Sequence, residues 1–192
     1  VLGYWGLLHQ GDEPVQAVAG AGEEVLEKLR GLGLDCRPYH SETTGNWIIL
    51  LEPERLKLAL DRICADHGIE VRLHARVTAA EREGAQLLSL TAEGPGGPER
   101  LRARAFVDAS GDAQLALAAG LPMRVGDGEG RIQAYTMPLR ISGLDPDTRI
   151  SRDDIKRAVE TYNRGSNDPI HRTDGGIYTR VPGSRDFWWL IV

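Results

Sequence analysis

Apolar positions recur at helical spacing in two stretches of the first third of the chain. Over 22–32, Val25, Leu26, Leu29 and Leu32 fall on one face and Gly31 and Gly33 mark the end, which predicts a short amphipathic helix. Over 53–67, Pro53 suits a first helical position, and Leu56, Leu60, Ile63 and Cys64 make one stripe before Gly68 stops it. From Ile69 to Asp108 the period shortens to two: Ile69, Val71 and Leu73, then Val77, then Leu88 and Leu90, then Leu101, Phe106 and Val107. Gly84 and the run Gly94, Pro95, Gly96, Gly97, Pro98 interrupt it, so this part reads as strands joined by hairpin turns.

The alanine- and leucine-rich stretch 112–119, closed by Gly120 and Pro122, predicts a short helix directly after the strand ending at Val107. Beyond Gly130, 131–142 reads as a strand. Ser151 with Asp154 then caps a helix whose Ile155, Ala158, Val159 and Tyr162 should face inward. Ile177 to Val181 and Phe187 to Val192, joined through Pro182, Gly183, Ser184, Arg185 and Asp186, form a predicted hairpin. Alternation puts Phe187, Trp189 and Ile191 on one face and Trp188, Leu190 and Val192 on the other, so both faces want cover. Val1, Leu2, Tyr4 and Trp5 are also apolar, whereas natural termini tend to be polar and loosely held. An internal piece of a longer polypeptide is therefore the expectation, and no repeat or low-complexity tract interrupts it.

Composition narrows the classes of function. The 192 residues are 41% hydrophobic, enough to bury one substantial core, and length suggests one or two domains. Net charge is -5 without a lysine and arginine stripe, which argues against a nucleic-acid partner. No apolar run approaches the roughly 18 residues that span a bilayer, and no signal-peptide pattern opens the chain, so a soluble, cytoplasmic protein is expected. Cys36 and Cys64 stand apart, outside any CxxC, and read as reduced structural thiols. His9, His40, His67, His74 and His171 show no ligand spacing, so no metal site is expected.

The sharpest feature is Phe106, Val107, Asp108, Ala109, Ser110, Gly111, Asp112, followed by a short helix to Gly120. Gly111 has no side chain, so a ligand can approach its backbone closely. Asp112 can cap the helix or accept hydrogen bonds from ligand hydroxyls, and a helix N-terminus favours an anion. An ordinary strand-to-helix turn with Asp112 as N-cap accounts for the same residues equally well.

This segment resembles the FAD-dependent oxidoreductases with a glutathione-reductase-like flavin domain, whose flavin-contacting strand reads VIDATGD where this chain reads FVDASGDAQLALAAG. The similarity extends upstream through LEPERLKLALDRICADHGIEVRLHARVTAA and downstream through RIQAYTMPLRISGLD, about residues 50 to 145 in all. The resemblance implies an α/β fold with α+β character: an incomplete Rossmann-like FAD/NAD(P)-binding domain with an antiparallel meander over 1–128, and part of a mixed-sheet substrate domain over 129–192. It implies that Ala109, Ser110, Gly111 and Asp112 lie along the flavin's ribityl and pyrophosphate portion, and that Val77 offers backbone hydrogen bonds to the adenine. Ser110 replaces the usual threonine and keeps its hydroxyl. The N-terminal strand, GxGxxG turn and helix that hold the pyrophosphate in such proteins are missing. The implied parent is a flavoenzyme that passes a hydride between a small-molecule substrate and FAD, with partners in the missing parts of its own chain or in a homo-oligomer.

Three other motifs compete. Val15 to Val25 imitates a strand entering GxGxx, but Val25 stands where Gly or Ala is needed, and Glu23 and Glu24 would repel a pyrophosphate. Ser110 sits like a nucleophile elbow, yet Asp108 and Asp112 occupy places that need small residues, and no histidine is marked as base. Gly126, Asp127, Gly128, Glu129, Gly130 hints at a calcium loop, but two acids fall short of calcium's oxygens. Gln133 and Tyr135, on the predicted strand after it, could face a substrate cavity, and a strand with one solvated side would look the same. A reading from another class makes the chain a non-catalytic α+β interaction module that docks through apolar ends.

Overall fold

The computed structural model describes residues 3–4, 7–10, 13–40, 47–133, 135–145, 147–173, 177–180 and 184–191. Side chains in 3–14, 177–179 and 190–191 are outside that description, as are Val1, Leu2, Trp5, Pro182, Gly183 and Val192, on which part of the expectation about the ends and the last turn rests. The chain divides into two compact units, Val1–Ile69 with Ala134–Val192, and Glu70–Gln133. Helices and strands both contribute, and every described strand pairing is antiparallel.

The first unit begins with β1 (Gly3–Tyr4), β2 (Leu7–Gln10) and β3 (Glu13–Gln16), the last two paired as a hairpin. Then come α1 (Ala21–Gly31), β4 (Tyr39–His40), β5 (Trp47–Leu50) and α2 (Pro53–Asp66), with β1 and β4 flanking β5. Its core joins Leu26, Leu29, Leu34, Cys36, Ile49, Leu51 and Ala59, with Val25, Leu32 and Leu56 packed against it. The predicted face of α1 is therefore the buried one. On α2 the stripe is rotated: Ala59 is fully buried while Leu60 is exposed, because only a small residue lets the backbones of α1 and α2 approach. Glu52 caps α2 by accepting from the Glu54 and Arg55 amides, and Pro53 takes the first helical position as expected. Lys28 pairs with Asp66 at 2.5 Å and His67 meets Glu24 at 2.8 Å, tying the two helices along their exposed side.

The second unit holds β6 (Arg76–Glu83), β7 (Gln86–Gly94) and β8 (Gly97–Leu101), a meander in that spatial order, followed by α3 (Gln114–Ala118). Gly84 and Ala85 make one two-residue turn and Pro95 and Gly96 the other, at the positions the glycines and prolines marked. Gly84 has φ +57, which a side chain would resist. Between the strands Ser89 is buried, donating to Glu81 at 2.9 Å and accepting from Arg100 at 3.0 Å, so three strands share one polar cluster.

Two predicted strands are absent. Ile69, Val71 and Leu73 are exposed and lie outside any strand, and so do Phe106 and Val107, the latter 89% exposed. Alternating apolar residues make a strand only beside a neighbour that takes their backbone hydrogen bonds, and no described strand pairs with either segment.

The rest of the first unit is β9 (Met137–Ile141), α4 (Arg152–Gly165), β10 (Ile177–Arg180) and β11 (Phe187–Ile191), with β11 between β10 and β9. The expected hairpin is present, Ile177 facing Leu190 and Arg180 facing Phe187. Phe187 is buried and Trp188 and Trp189 are half-buried, so cover does lie over both faces of β11. Strand β9 starts later than the sequence suggests, leaving Gln133 exposed and Tyr135 82% exposed outside any strand. Ser151 and Asp154 form the predicted capping box on α4. Only Val159 of its apolar face is buried; Ile155 is half-buried and Ala158 and Tyr162 are exposed.

Candidate functional site

The strand-to-helix turn of the sequence becomes a loop-to-helix turn. Leu101 ends the meander, 102–113 follow without regular structure, and α3 begins at Gln114. Asp112 is not the N-cap; Ala113 holds that place with φ +52, and its methyl can cap nothing. The cap comes from further upstream. Asp108 accepts from the Ser110 amide at 3.1 Å, the Ser110 hydroxyl at 2.7 Å and the Ala116 amide at 3.0 Å. Ser110 Oγ in turn accepts from the Gln114 amide at 2.8 Å. The Ser110 hydroxyl, with help from the Ala116, Ser110 and Leu115 amides, holds the Asp108 carboxyl below its ordinary range.

This arrangement shifts where an anion could be met and agrees with the sequence argument against Ser110 as a nucleophile. The amides of Gln114 and Ala116 are already spent on a hydroxyl and a carboxylate, which leaves the amides just ahead of α3, at Gly111, Asp112 and Ala113, as the donors an anion could meet. Ser110 Oγ both donates and accepts within the turn, and among the described residues no histidine is hydrogen-bonded to it as a base, which argues against a nucleophile's role. The amides of Gly111, Asp112 and Ala113 make no hydrogen bond among the described residues, and neither does the Asp112 carboxylate.

Gly111 is exposed with φ +81, and a Cβ built on it would meet nothing within 4 Å. A flat or chain-like group can therefore approach this backbone without meeting a side chain. Ala109, Ser110 and Asp112 are exposed beside it. Val77 lies on β6, half-buried and opposite Ala92, and β6 is an edge strand of its sheet. Two arginines of β6 reach α3: Arg76 Nε donates to Gln114 Oε1 at 3.3 Å and Arg82 Nε to the Ala119 carbonyl at 2.7 Å. The residue next to Val77 is thus tied to the helix that follows Ser110, Gly111 and Asp112.

A cavity of about 440 Å³ lies alongside, lined among others by Arg82, Leu87, Arg104, Phe106, Asp108 and Leu115. It touches Asp108 and not Gly111. The sequence reading missed Asp108 and both β6 arginines. An Asp two residues ahead of a Ser is the spacing of a side chain turning back to the backbone, and that signal was available for Asp108.

The competing motifs resolve locally. Glu23 pairs with Arg30 at 2.8 Å and Glu24 with His67, so acids do line the start of α1 behind Gly20 and Gly22. Asp127 accepts from the Glu129 and Arg131 amides and from Arg131 Nε at 2.6 Å, closing 126–131 on itself. Among the described residues no cluster of His, Cys, Asp and Glu could hold a metal, and no helix is long and apolar enough to cross a membrane.

Fold and turn together describe an α/β chain with an open backbone approach at Gly111 ahead of a short helix. A family model described as FAD dependent oxidoreductase matches residues 3–186, and the chain belongs to that family, whose cofactor is FAD. Comparisons with curated proteins and with solved structures found no match.

Proposed function

We propose that this chain is a section of a flavoenzyme with a glutathione-reductase-like, Rossmann-like flavin domain over 1–128 and part of a substrate domain over 129–192. The observation that carries the reading is the bare backbone at Gly111, open in space and held in the left-handed region, within a chain of the FAD dependent oxidoreductase family. Ala109, Ser110, Gly111 and Asp112 contribute the wall along the cofactor's sugar chain, through free amides at Gly111 and Asp112 and an acceptor on Asp112. Val77 contributes backbone groups of an edge strand to the adenine. When bound, FAD supplies the redox chemistry, a hydride passing between it and a small-molecule substrate. Residues 1–192 contain no complete GxGxxG unit, so the proposal assigns the remaining phosphate contacts to polypeptide outside them.

The test is an FAD titration of the protein with its flanking sequence, followed by flavin absorbance. Flavin should co-purify with or bind to the wild type. Gly111→Val should weaken binding by at least about tenfold, because the position needs positive φ and an open approach. A folded, colourless wild type that ignores FAD removes the proposal, as does unchanged affinity in Gly111→Val.

A further inference from the structure

We propose that Asp108 is a positioning residue for the cofactor-facing turn. The inference rests on the flavin reading above and adds a role that this reading does not assign.

Four observations lead to it. Asp108 gathers the Ser110 amide, the Ser110 hydroxyl and the Ala116 amide with its two carboxylate oxygens, spanning both ends of the 109–115 segment. Ser110 passes the hold on to the Gln114 amide. The segment so enclosed contains two left-handed residues, Gly111 at φ +81 and Ala113 at φ +52, and the second is costly for a residue with a Cβ. Something must offset that conformation, and charged hydrogen bonds to the flanking amides are the strong interactions present. Finally, Asp108 is exposed and has no ion-pair partner among the described residues, so its charge serves the turn alone.

The geometric consequence is specific. With Asp108 in place, the peptide between Ser110 and Ala113 is presented outward with its amides free. Without it, Ser110 Oγ loses its acceptor, the start of α3 loses a cap, and Ala113 has no reason to remain left-handed. The residue acts through the backbone and does not itself touch the cofactor.

Two measurements test this, one independent of flavin. In amide hydrogen exchange on the protein with its flanking sequence, without added FAD, Asp108→Asn should speed exchange at Gln114 to Ala116 by about tenfold and leave β6 to β8 unchanged. In FAD titration of the protein with its flanking sequence, Asp108→Asn and Ser110→Ala should each weaken binding by about tenfold, while Ser110→Thr, which keeps the hydroxyl, should match the wild type. Unchanged exchange in Asp108→Asn overturns the inference. So does wild-type FAD affinity in that variant once its exchange has quickened, and that result leaves the flavin reading standing. A wild type that takes no FAD overturns the flavin reading and this inference with it.

Discussion

At Leu29 the structure buries a whole side chain, at 0% exposure, among α1, α2 and β5. Leu29→Ala should cost about 3 kcal/mol, read as a lower urea midpoint with unchanged slope. Glycines divide by what surrounds them. A Cβ at Gly126 would come within 2.3 Å of the Arg131 carbonyl oxygen and would also strain φ +66, so Gly126→Ala should destabilise the 126–131 turn by more than about 1 kcal/mol. Thermal melts of that variant against Gly128→Ala, where the space is open, separate the steric part from the conformational one. Single residues were legible where one local rule governs them, as with Pro53 at a helix start or Gly84 in a hairpin. Asp108 was legible only in its local bond to Ser110, two residues on; its bond to the Ala116 amide, eight residues away, appears only in the folded loop.

Elements were legible in proportion to how much of their reason lies within them. The meander, the final hairpin and three of the helices follow from period, turn residues and caps, and their positions agree with expectation. The Ser151 box is the most local of these, and Ser151→Ala should cost about 1 kcal/mol, measured by thermal unfolding, with α4 fraying first. Segments 69–73 and 102–108 went the other way. Their alternation states a preference for a sheet, and a sheet is a property of the neighbours as well. The site shares that limit: the opening at Gly111 was readable from the missing side chain, whereas the loss of α3's start to Asp108 was not.

Across the molecule, five carboxyls among the described residues are held below their ordinary value of 3.8. Arg37 holds Asp35 at about 2, and Lys28, Ser110, Arg131 and Ser151 are the leading partners of Asp66, Asp108, Asp127 and Asp154. Each binds its proton more readily when unfolded, so their support is complete above 3.8 and is lost as pH falls through the folded values. Urea midpoints should therefore drop from pH 5 toward pH 2, and the fall should shrink when Asp35 and Asp66 are replaced by Asn. The buried thiol of Cys36, raised above its usual range by burial, has a different use. Shut among Leu26, Leu29 and Ala59, it is sheltered from an alkylating reagent for as long as the core stays closed, while half-buried Cys64 stands outside that core. The chain thus carries its own clock: the lag between the two alkylations times how often that core breathes.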